Sequence, residues 1–415
     1  MLLFVTSVFA CKDDSPKITD NDKDNDNDTT EVEKPDKIAV DPNKTFVHPG
    51  LLHTAEDFER IGAKVAAAEE PWISGWNKLI ENSHASSAYT PNPVVKLVRG
   101  GKSREEPDAD NYSTAFNDAA AAYQTAIRWK ITGDEAYAEA SIKILNAWAT
   151  TCETLSGNSN VALAAGLYGY QFANAAEIMR DYEGWAESDF DVFKQWMLDV
   201  FYPVSHEFLT THWNTCVSHY WANWDLCNIA NIMAIGVLTD NASIYNEAIM
   251  YLMHGEGNGN LDLAIYHIHA DGTGQLQESG RDQGHALLCV GLLGTIAEMA
   301  YNQGDDIYGY DDNRILKGAE YAAKYNIANL NVPFEPYNNC DDVNHITISE
   351  EARGNPRPIW ERIYNHYVVK EGLTAPYVEM AAGVHRPEGG GGDYGPNSGG
   401  FDALGFGTLL YTLEK

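Results

Sequence analysis

The feature that most constrains the fold is a long succession of segments with apolar residues at helical spacing and almost no strand-like alternation. The clearest pair, 117–132 and 135–150, is separated only by the helix-breaking dipeptide Gly133-Asp134. Similar segments predict helices from an N-cap at Thr54 through Val65, and at 71–80, 169–180, 188–201, 221–238, 244–253, 286–301 and 315–325. Short strands are expected only at 344–348 and 406–411. We therefore predict an all-α fold with few short strands, an α/α toroid, meaning an incomplete α/α barrel of about six or seven helical hairpins.

The N-terminal region differs sharply from this helical part. Residues 1–11 form an apolar run ending at Cys11, too short to span a bilayer and typical of a lipoprotein signal peptide whose last cysteine is lipidated. Residues 12–45 are rich in Asp, Asn, Lys and Thr, which predicts a disordered acidic tether. The folded domain is then 46–415. We expect an outer-membrane or cell-surface lipoprotein, with a periplasmic location as the alternative, that contacts the membrane only through its lipid anchor.

The formal net charge of −32 excludes nucleic acid and anionic membrane surfaces as partners. An acidic ligand would need a local basic pocket against this overall field. The cysteines beyond Cys11 are odd in number and widely spaced, which predicts no disulfide framework and mostly small buried side chains. They are Cys152, Cys216, Cys227, Cys289 and Cys340. The sequence does not indicate an oligomeric state.

A dense polar stretch, ADGTGQLQESGRDQGH at 270–285, leads directly into an apolar helix that starts near Ala286. Such a concentration of polar groups beside a buried helix predicts a functional site. The alternative is that these groups only satisfy the backbone donors of the helix N-terminus. The candidate residues are Gln275, Gln277, Glu278, Arg281, Asp282, Gln283 and His285.

A second polar and aromatic cluster, HYWANWD at 219–225, precedes another apolar helix. Asn223 is unusual for a simple core helix, and its amide could hydrogen-bond a buried carboxylate. Aromatic packing with polar caps is the other interpretation. The candidates here are His219, Tyr220, Asn223 and Trp224.

A third cluster, RPIWERIYNHYV at 357–368, places Trp360, Tyr364 and Tyr367 on one helical face, with His366 between the tyrosines. Both core packing and a functional tyrosine fit this pattern. The glycine-dense segment 385–407 is either an irregular loop near a cleft or a terminal linker.

These groups suit β-elimination from a uronic acid. A base removes the C5 proton, the bond from C4 to the glycosidic oxygen breaks, and the neighbouring carboxylate must be neutralised for the proton to leave. Asn223, Arg281, His285 and a tyrosine supply such a set. This chemistry requires no metal, no cofactor and no pair of carboxylates.

The chain also resembles a known family. The stretches NDAAAAYQTAIRWKITGDEAYAEASIKILNAWA, HYWANWDLCN and ADGTGQLQESGRDQGH are similar to alginate-lyase-type polysaccharide lyases, closest to polysaccharide lyase family 38. The resemblance runs from about His48 to the C-terminus. It implies an α/α toroid that cleaves an anionic polysaccharide, alginate (with mannuronate-containing polymer favoured) or glucuronan. It also implies that Asn223 and Arg281 bind the substrate carboxylate, while a His or Tyr transfers the proton.

The sequence departs from the family 5 alginate lyases at one position. Those enzymes carry a tyrosine about two turns after the arginine, where this chain has Leu287 and Leu288. Tyr364 is therefore our first expectation for the proton-transfer tyrosine and Tyr220 the second. The predicted catalytic residues are Asn223, Arg281, His285 and Tyr364. The predicted substrate-binding residues are His219, Tyr220, Trp224, Gln277, Glu278, Gln283, Trp360 and His366.

Other interpretations use different residues. A glycoside hydrolase would need two carboxyl groups across the scissile bond, drawn from Asp225, Asp271, Glu278 and Asp282. A non-catalytic glycan-binding lipoprotein would account for the tether, the helices and the aromatics. A zinc site at His267, His269 and Asp271 lacks a further ligand at matching spacing, so no metal is expected. Under the lyase interpretation we expect a positive pocket built from Arg281, His219 and His285 with Lys96, Arg99 or Arg362.

Overall fold

A computed structural model describes residues 37–414. The predicted signal peptide, its Cys11 and the tether up to residue 36 lie outside the described residues. The remaining part of the predicted tether, 37–45, lies against the helical body. Lys37 Nζ is 2.5 Å from Asp262 Oδ2, and Lys44 Nζ is 2.8 Å from Asp305 Oδ2. Contacts with the body therefore begin ahead of the predicted boundary at residue 46.

The described chain is predominantly helical. Its α-helices are α1 Ala55–Ala66, α2 Trp72–Glu81, α3 Ser113–Thr132, α4 Glu135–Thr151, α5 Val161–Met179, α6 Glu187–Trp196, α7 Tyr202–Thr211, α8 Ala222–Leu238, α9 Ala242–His254, α10 Leu261–Ala264, α11 Gln283–Asn302, α12 Tyr310–Asn326, α13 Trp360–Tyr364, α14 Pro376–His385 and α15 Gly407–Leu410. Two π-helical turns, Met197–Phe201 and Asn365–Lys370, continue α6 and α13.

The strands are short and form three separate pairs. They are β1 Lys96–Val98, β2 Thr154–Ser156, β3 Ile265–Ile268, β4 Gly274–Leu276, β5 Tyr337–Asn338 and β6 Asn344–His345. The β1–β2 pair is parallel, and β3–β4 and β5–β6 are antiparallel. The strand predicted at 344–348 is confirmed over its first two residues, whereas that predicted at 406–411 is wrong because α15 occupies the segment.

Helices alternate between an inner and an outer layer. In the inner layer α3, α5, α8 and α11 pack side by side in that order, and α13 follows against α11. The outer layer includes α4 against α3, α7 and α9 against α8, and α12 against α11. The predicted all-α fold and α/α toroid are therefore confirmed. Among the described helices only α11 is long and apolar enough to cross a membrane, but it is a largely buried core helix.

Two glycines of α5 allow the inner layer to close. A Cβ at Gly166 would lie 2.4 Å from Cys227 Sγ, and one at Gly169 would lie 2.1 Å from Asn231 Oδ1. Every residue of α5 is buried, and its first half, VALAAGLY, has no polar residue to reveal a helical period. This is why the sequence predicted the helix only from residue 169.

The helix boundaries follow local signals closely. Thr54 forms a capping box with Asp57 at the start of α1. Gly133 ends α3 with a φ of 69°, in the left-handed region that glycine adopts without steric cost. Asp134 then caps α4 by accepting a hydrogen bond from the Ala136 backbone N–H.

The glycine-dense segment is an irregular part of the body, which excludes a terminal linker. Phe401 stacks on Phe116 of α3 with ring centroids 4.3 Å apart. Gln124 of α3 donates to the Gly391 carbonyl at 3.1 Å, and Gln171 of α5 donates to the Phe401 carbonyl at 2.7 Å. The segment therefore packs against the inner helices.

Candidate active site

The candidate active site lies where α8 and α11 begin. Asn223 is the second residue of α8. A short 3-10 turn, Gln277–Gly280, leads to Arg281, and Asp282 then caps α11 by accepting a hydrogen bond from the His285 backbone N–H at 2.8 Å. Two stretches that lie more than fifty residues apart in the sequence therefore present their polar groups to the same region.

The carboxylate of Glu278 joins these two stretches. Its Oε1 accepts hydrogen bonds from the Asn223 backbone N–H at 2.8 Å and from Asn223 Nδ2 at 2.6 Å, while its Oε2 accepts one from Arg281 Nη1 at 2.7 Å. Glu278 is fully buried, with 0% exposure. The structure thus brings Asn223 and Arg281 together, but around a carboxylate of the protein itself. The prediction that Glu278 touches substrate is wrong, because its oxygens are sequestered by these donors.

Arg281 retains donors beyond Glu278. Its side chain is 26% exposed, and its Nη2 lies 3.4 Å from Nε2 of His285. The other ring nitrogen of His285 lies 2.7 Å from Asp282 Oδ2. The guanidinium carbon is 5.3 Å from the ring centroid of Trp221, a cation–π distance. Arg281 is therefore held on three sides, and its remaining N–H groups can serve an anion.

A short β-ribbon, made of the two-residue strands β5 and β6, lies next to this arginine. Tyr337 on β5 and His345 on β6 are direct Cα partners, so their side chains project from the same face. The Trp221 ring centroid lies 5.4 Å from that of His345 and 6.2 Å from that of Tyr337. A Cβ on Gly280 would come within 2.5 Å of the His345 Cβ, so the ribbon lies directly on the turn before Arg281.

The surroundings of the ribbon shift the pKa values of both His345 and Tyr337. Burial and the charge of Arg281 lower the pKa of His345, and its Nε2 is buried with no hydrogen-bond partner among residues 37–414. Burial raises the pKa of Tyr337, whose hydroxyl donates to Asn258 Oδ1 at 3.1 Å. At neutral pH the pair is therefore a neutral imidazole beside a protonated phenol.

A disulfide fixes the ribbon to the segment before α8. Cys216 is bonded to Cys340, and the neighbouring His219 Nδ1 lies 2.6 Å from Asp341 Oδ2. The prediction that the cysteines form no disulfide is wrong for this pair, because residues 124 positions apart meet only in the folded chain. It is confirmed for the buried free thiols Cys152, Cys227 and Cys289. His219 serves this junction.

The remaining residues predicted around Asn223 mainly position the backbone. Gln277 is buried and its Oε1 accepts from the Ala222 N–H at 3.0 Å. Gln283 is buried and donates to the carbonyls of Ser279 and Ser349, both at 3.0 Å. The prediction that these two amides bind substrate is corrected, because their contacts organise the turn and the loop beside it.

Three aromatics, Tyr220, Trp221 and Trp224, lie on this side of the site. The rings of Tyr220 and Trp224 lie 4.7 Å apart, and Trp224 stacks on Phe208 at 5.9 Å. Trp221 and Trp224 are partly exposed, whereas Tyr220 is buried. The accessible parts of the two tryptophans are the surfaces that a sugar ring could contact.

A second cation lies on the other side of the α8 N-terminus. Arg99 donates to the Tyr168 hydroxyl at 2.9 Å, and its guanidinium is 4.9 Å from the Tyr112 ring centroid. Burial raises the pKa of the Cys227 thiol, one turn beyond Asn223, and the charge of Arg99 opposes that rise. Within the described chain Arg99 has no carboxylate partner within 4.0 Å, so its charge is uncompensated.

The other cations proposed for a positive pocket do not contribute to it. Lys96 Nζ lies 3.0 Å from Glu106 Oε1 and 2.6 Å from Asp108 Oδ2, so its charge is neutralised. Arg362 is buried inside the body, where it donates to the Gly291 carbonyl. Of the cations predicted for a positive pocket, Arg281, with His285 beside it, and Arg99 remain as candidates.

Trp360, Tyr364 and His366 are not part of this region. They belong to α13 and its π-helical continuation, which pack on the second half of α11. His366 stacks on Tyr308 at 3.7 Å and lies 5.0 Å from Tyr301, which follows His285 by sixteen residues, about 24 Å along a helix. Trp360 is fully buried. The assignment of Trp360 and His366 to the substrate is therefore corrected.

Tyr364 is likewise removed from the proposed catalytic set. Its ring lies 5.1 Å from the Arg386 guanidinium, and it lines a separate cavity together with Trp72 and Leu413. The tyrosine of this region is Tyr337, which pairs with His345 on the ribbon and lies 6.2 Å from Trp221 between ring centroids. The only sequence signal in this region was a short strand predicted from residue 344, and no local spacing links residues 337 and 345 to Arg281.

The carboxylates considered for a hydrolase are all engaged. Glu278 binds Asn223 and Arg281, and Asp282 caps α11. Asp225 is buried and accepts from the Gly259 N–H at 2.8 Å, and Asp271 pairs with Lys324 at 3.0 Å. No two of these four are left as an acid and a base facing a common space, so the hydrolase interpretation loses its candidates.

The predicted histidine pair is engaged in a similar way. His267 and His269 are adjacent, with ring centroids 4.6 Å apart, but His269 Nε2 lies 3.0 Å from Gln275 Oε1. In the part of the chain that the structure describes, the only three potential ligands close enough for one ion are Cys216, Cys340 and Asp341. Because the two sulfurs are joined to each other, they offer no thiolate.

Comparison with solved structures identifies the same fold elsewhere. An alginate lyase from Bacteroides ovatus aligns with a TM-score of 0.60 and 15% identity over 89% of this chain and 100% of its own. Alginate lyase A1-III from Sphingomonas species A1 aligns with a TM-score of 0.60 and 14% identity over 91% of this chain and 98% of its own. A variant of A1-III complexed with a tetrasaccharide aligns with a TM-score of 0.60 and 16% identity, over 89% of this chain and 98% of its own. No curated protein sequence matches.

The fold and the family match together define a polysaccharide lyase of the α/α-toroid class. The sequence matches the alginate lyase family over residues 65–331, more than half of the chain. The protein belongs to the alginate lyase family.

Proposed function

We propose that this lyase cleaves a uronate polymer by β-elimination, using Arg281 and Asn223 for the substrate carboxylate and the Tyr337–His345 pair for proton transfer. The observation that carries the proposal is the position of this pair beside the one exposed guanidinium that Glu278 orients.

Carboxylate neutralisation is the first requirement. Arg281 uses one N–H for Glu278 and has others available, since a guanidinium carries five donors. The Asn223 side-chain amide donates a hydrogen bond to the other oxygen of the Glu278 carboxylate, so the amide and the guanidinium lie side by side. A uronate carboxylate bound to Arg281 would have its charge offset, which lowers the cost of removing the C5 proton.

Proton transfer follows from the protonation states of the pair. The neutral imidazole of His345 accepts the C5 proton, and the C5–H electrons form the C4–C5 double bond as the C4–O bond breaks. Tyr337 gives its phenolic proton to the departing glycosidic oxygen. The lowered pKa of His345 leaves its imidazole unprotonated, as a base must be, and the raised pKa of Tyr337 keeps its phenol protonated, as an acid must be.

The geometry of the pair favours one stereochemistry. Because Tyr337 and His345 project from the same ribbon face, acid and base approach the sugar from one side. Mannuronate and glucuronate carry H5 and O4 on the same side of the ring, whereas guluronate carries them on opposite sides. We therefore propose mannuronate-containing alginate or glucuronan as substrate, with Arg99 and the exposed tryptophans holding neighbouring sugars.

The test is product absorbance near 235 nm, an approximate wavelength typical of the unsaturated product. Purified protein would be assayed on polymannuronate, polyguluronate and glucuronan. Tyr337→Phe and His345→Ala should each lower kcat by about 100- to 10,000-fold. Matched controls are Tyr202→Phe and His206→Ala, whose side chains bind Glu247 on the outer layer.

Two outcomes would overturn this mechanism. One is wild-type turnover in both site variants. The other is cleavage of polyguluronate as fast as of the other two polymers. Polymer binding with no absorbance change on any substrate would instead support the glycan-binding alternative.

We also propose that the protein is a lipoprotein anchored through Cys11 at the outer membrane or cell surface. The apolar run ending at Cys11 and the acidic stretch after it support this. Cys11→Ala should move the protein from the membrane fraction to the soluble fraction and abolish labelling by a fatty-acid analogue. Unchanged fractionation and labelling would contradict it.

A further inference from the structure

A second cavity lies at the far end of α11, away from the candidate active site. Its volume is ≈ 330 Å³, and its lining includes Glu298, Tyr301, Arg362, Lys370 and Tyr411. Tyr301 follows His285 on α11 by sixteen residues, about 24 Å along the helix. This volume is at the lower end of small-molecule sites, about 300–1,000 Å³, which suits a single sugar-sized ligand.

The cavity lining holds cationic side chains that no carboxylate in the described part of the chain pairs with. Lys370 Nζ lies 4.0 Å from the Tyr301 ring centroid, and across residues 37–414 no carboxylate lies within 4.0 Å of it. Arg362 is 8% exposed and its Nη1 donates to the Tyr411 hydroxyl at 3.3 Å, while its Nε is buried without a partner. The net charge of the chain is −32, so two unpaired cations in one cavity lining are unusual. Because buried charges are costly unless they are paired, these two cations indicate a site for a bound anion.

The acids of the lining cancel the charge of these cations only in part. Asp57 is committed to Arg60, with Oδ1 2.7 Å from Nη1. Glu298 accepts from the Tyr308 hydroxyl at 2.8 Å, and burial raises its pKa to about 7 although Arg362 and Lys370 oppose the rise.

The histidine of the lining adds no charge. Burial and the charge of Lys370 lower the pKa of His366 to about 3, so its imidazole is neutral near pH 7. The excess of positive charge near neutrality therefore comes from Arg362 and Lys370.

We propose that this cavity binds one small organic carboxylate of the size of a single sugar acid. Lys370 and Arg362 hold the carboxylate group, and the rings of Tyr301 and Tyr411 contact the carbon skeleton. A ligand carboxylate beside Glu298 also favours the protonated form of that group, so binding takes up protons near pH 7. The site requires no chemistry at Arg281 and is independent of the elimination mechanism.

Calorimetric titration with D-glucuronate tests the proposal, with D-glucose as the uncharged probe. Both are titrated into full-length protein carrying Arg281→Ala, so that the candidate active site does not contribute. We expect binding of one glucuronate and none of glucose. Adding Lys370→Met should weaken glucuronate binding about 10- to 100-fold, as loss of a charged hydrogen bond does. Lys370→Arg should restore most of the affinity.

Lys324→Met is the matched control, because Lys324 pairs with Asp271 on another part of the surface. It should leave the titration unchanged. Equal affinity in the Lys370→Met and Lys324→Met proteins, or no glucuronate binding in the Arg281→Ala protein, would overturn the proposal. Product absorbance from the Lys370→Met enzyme, measured separately, reports on the elimination and should equal that of wild type.

Discussion

Arg281 donates through Nη1 to the buried Oε2 of Glu278 at 2.7 Å. The other oxygen of that carboxylate accepts from both the backbone and the side chain of Asn223. Glu278 is therefore a positioning residue: it orients the amide and the guanidinium without reaching the substrate itself. Glu278 is fully buried, and a buried carboxylate is stable only when hydrogen-bond donors surround it. Its negative charge therefore holds the donors of Asn223 and Arg281 in place.

Glu278→Gln should keep the fold and lower kcat about 10- to 100-fold, because a charged hydrogen bond to Arg281 is replaced by a weaker neutral one. The substitution preserves the shape of the side chain. Steady-state kinetics on the best uronate polymer measure the effect, and thermal unfolding checks the fold. Glu350→Gln, which removes an exposed partner of Arg353, is the control. Full activity of Glu278→Gln would show that the carboxylate does not orient Arg281.

The pH dependence of kcat/KM should report His345. As the base, His345 must be neutral, so activity rises as pH rises through its pKa. Burial and Arg281 lower this pKa, which places the acid limb below about 6.5. Imidazole titration by NMR should show the His345 pKa rising in Arg281→Gln. An acid limb above that value, or an unmoved His345 pKa, would contradict this assignment.

Removing the disulfide should loosen the ribbon over the site. In Cys216→Ser/Cys340→Ser the ribbon is retained by weaker contacts, including the hydrogen bond from the Cys340 N–H to Ser218 Oγ. We expect lower kcat and a loss of about 2–4 kcal/mol in the free energy of unfolding. Dithiothreitol should bring wild type to the level of the variant and leave the variant unaffected. Equal inhibition of both proteins would assign the effect to another thiol.

The buried Glu388 should make stability depend on pH. Its Oε1 accepts from the backbone N–H groups of Trp360 and Glu361, and burial together with the negative charge of Glu361 raises its pKa. The folded state then holds a proton that the unfolded chain releases above about pH 4.5. The free energy of unfolding should therefore fall as pH rises from that value toward the raised pKa.

Glu388→Gln should flatten this decline, because an amide does not titrate. Denaturant unfolding at about pH 5 and about pH 8 measures it. Glu414→Gln, at the exposed partner of Lys64, should retain the wild-type slope. A variant whose stability still falls as steeply as that of wild type would place the titration elsewhere.

Much of the fold was predictable from local signals. The break at Gly133-Asp134 and the cap at Thr54 determine helix ends through backbone conformation and one side chain, so no distant residue is needed. The first half of α5 was missed because a helix buried on all sides has no polar face to mark its period. The irregular glycine-dense segment was recognised, but its packing on α3 was not.

The candidate site divides in the same way. The polar stretches ending at Asn223 and His285 were visible because each lies immediately before an apolar helix. The role of Glu278 was misjudged, since only burial shows that its oxygens face inward. Tyr364 was chosen first and Tyr220 second because each belongs to a helical or polar cluster. Tyr337 was not considered, because it lies in a two-residue strand that has no period to detect.

The amino-acid sequence determined the helical class, most helix boundaries and the two polar stretches, because each depends on residues within a few positions of one another. Only the tertiary structure decided that Tyr337 and His345 face each other over Arg281, and that Cys216 meets Cys340. These contacts join segments separated by long stretches of chain, and their distances are set by how the inner helices pack. Local propensity carries no information about such distances.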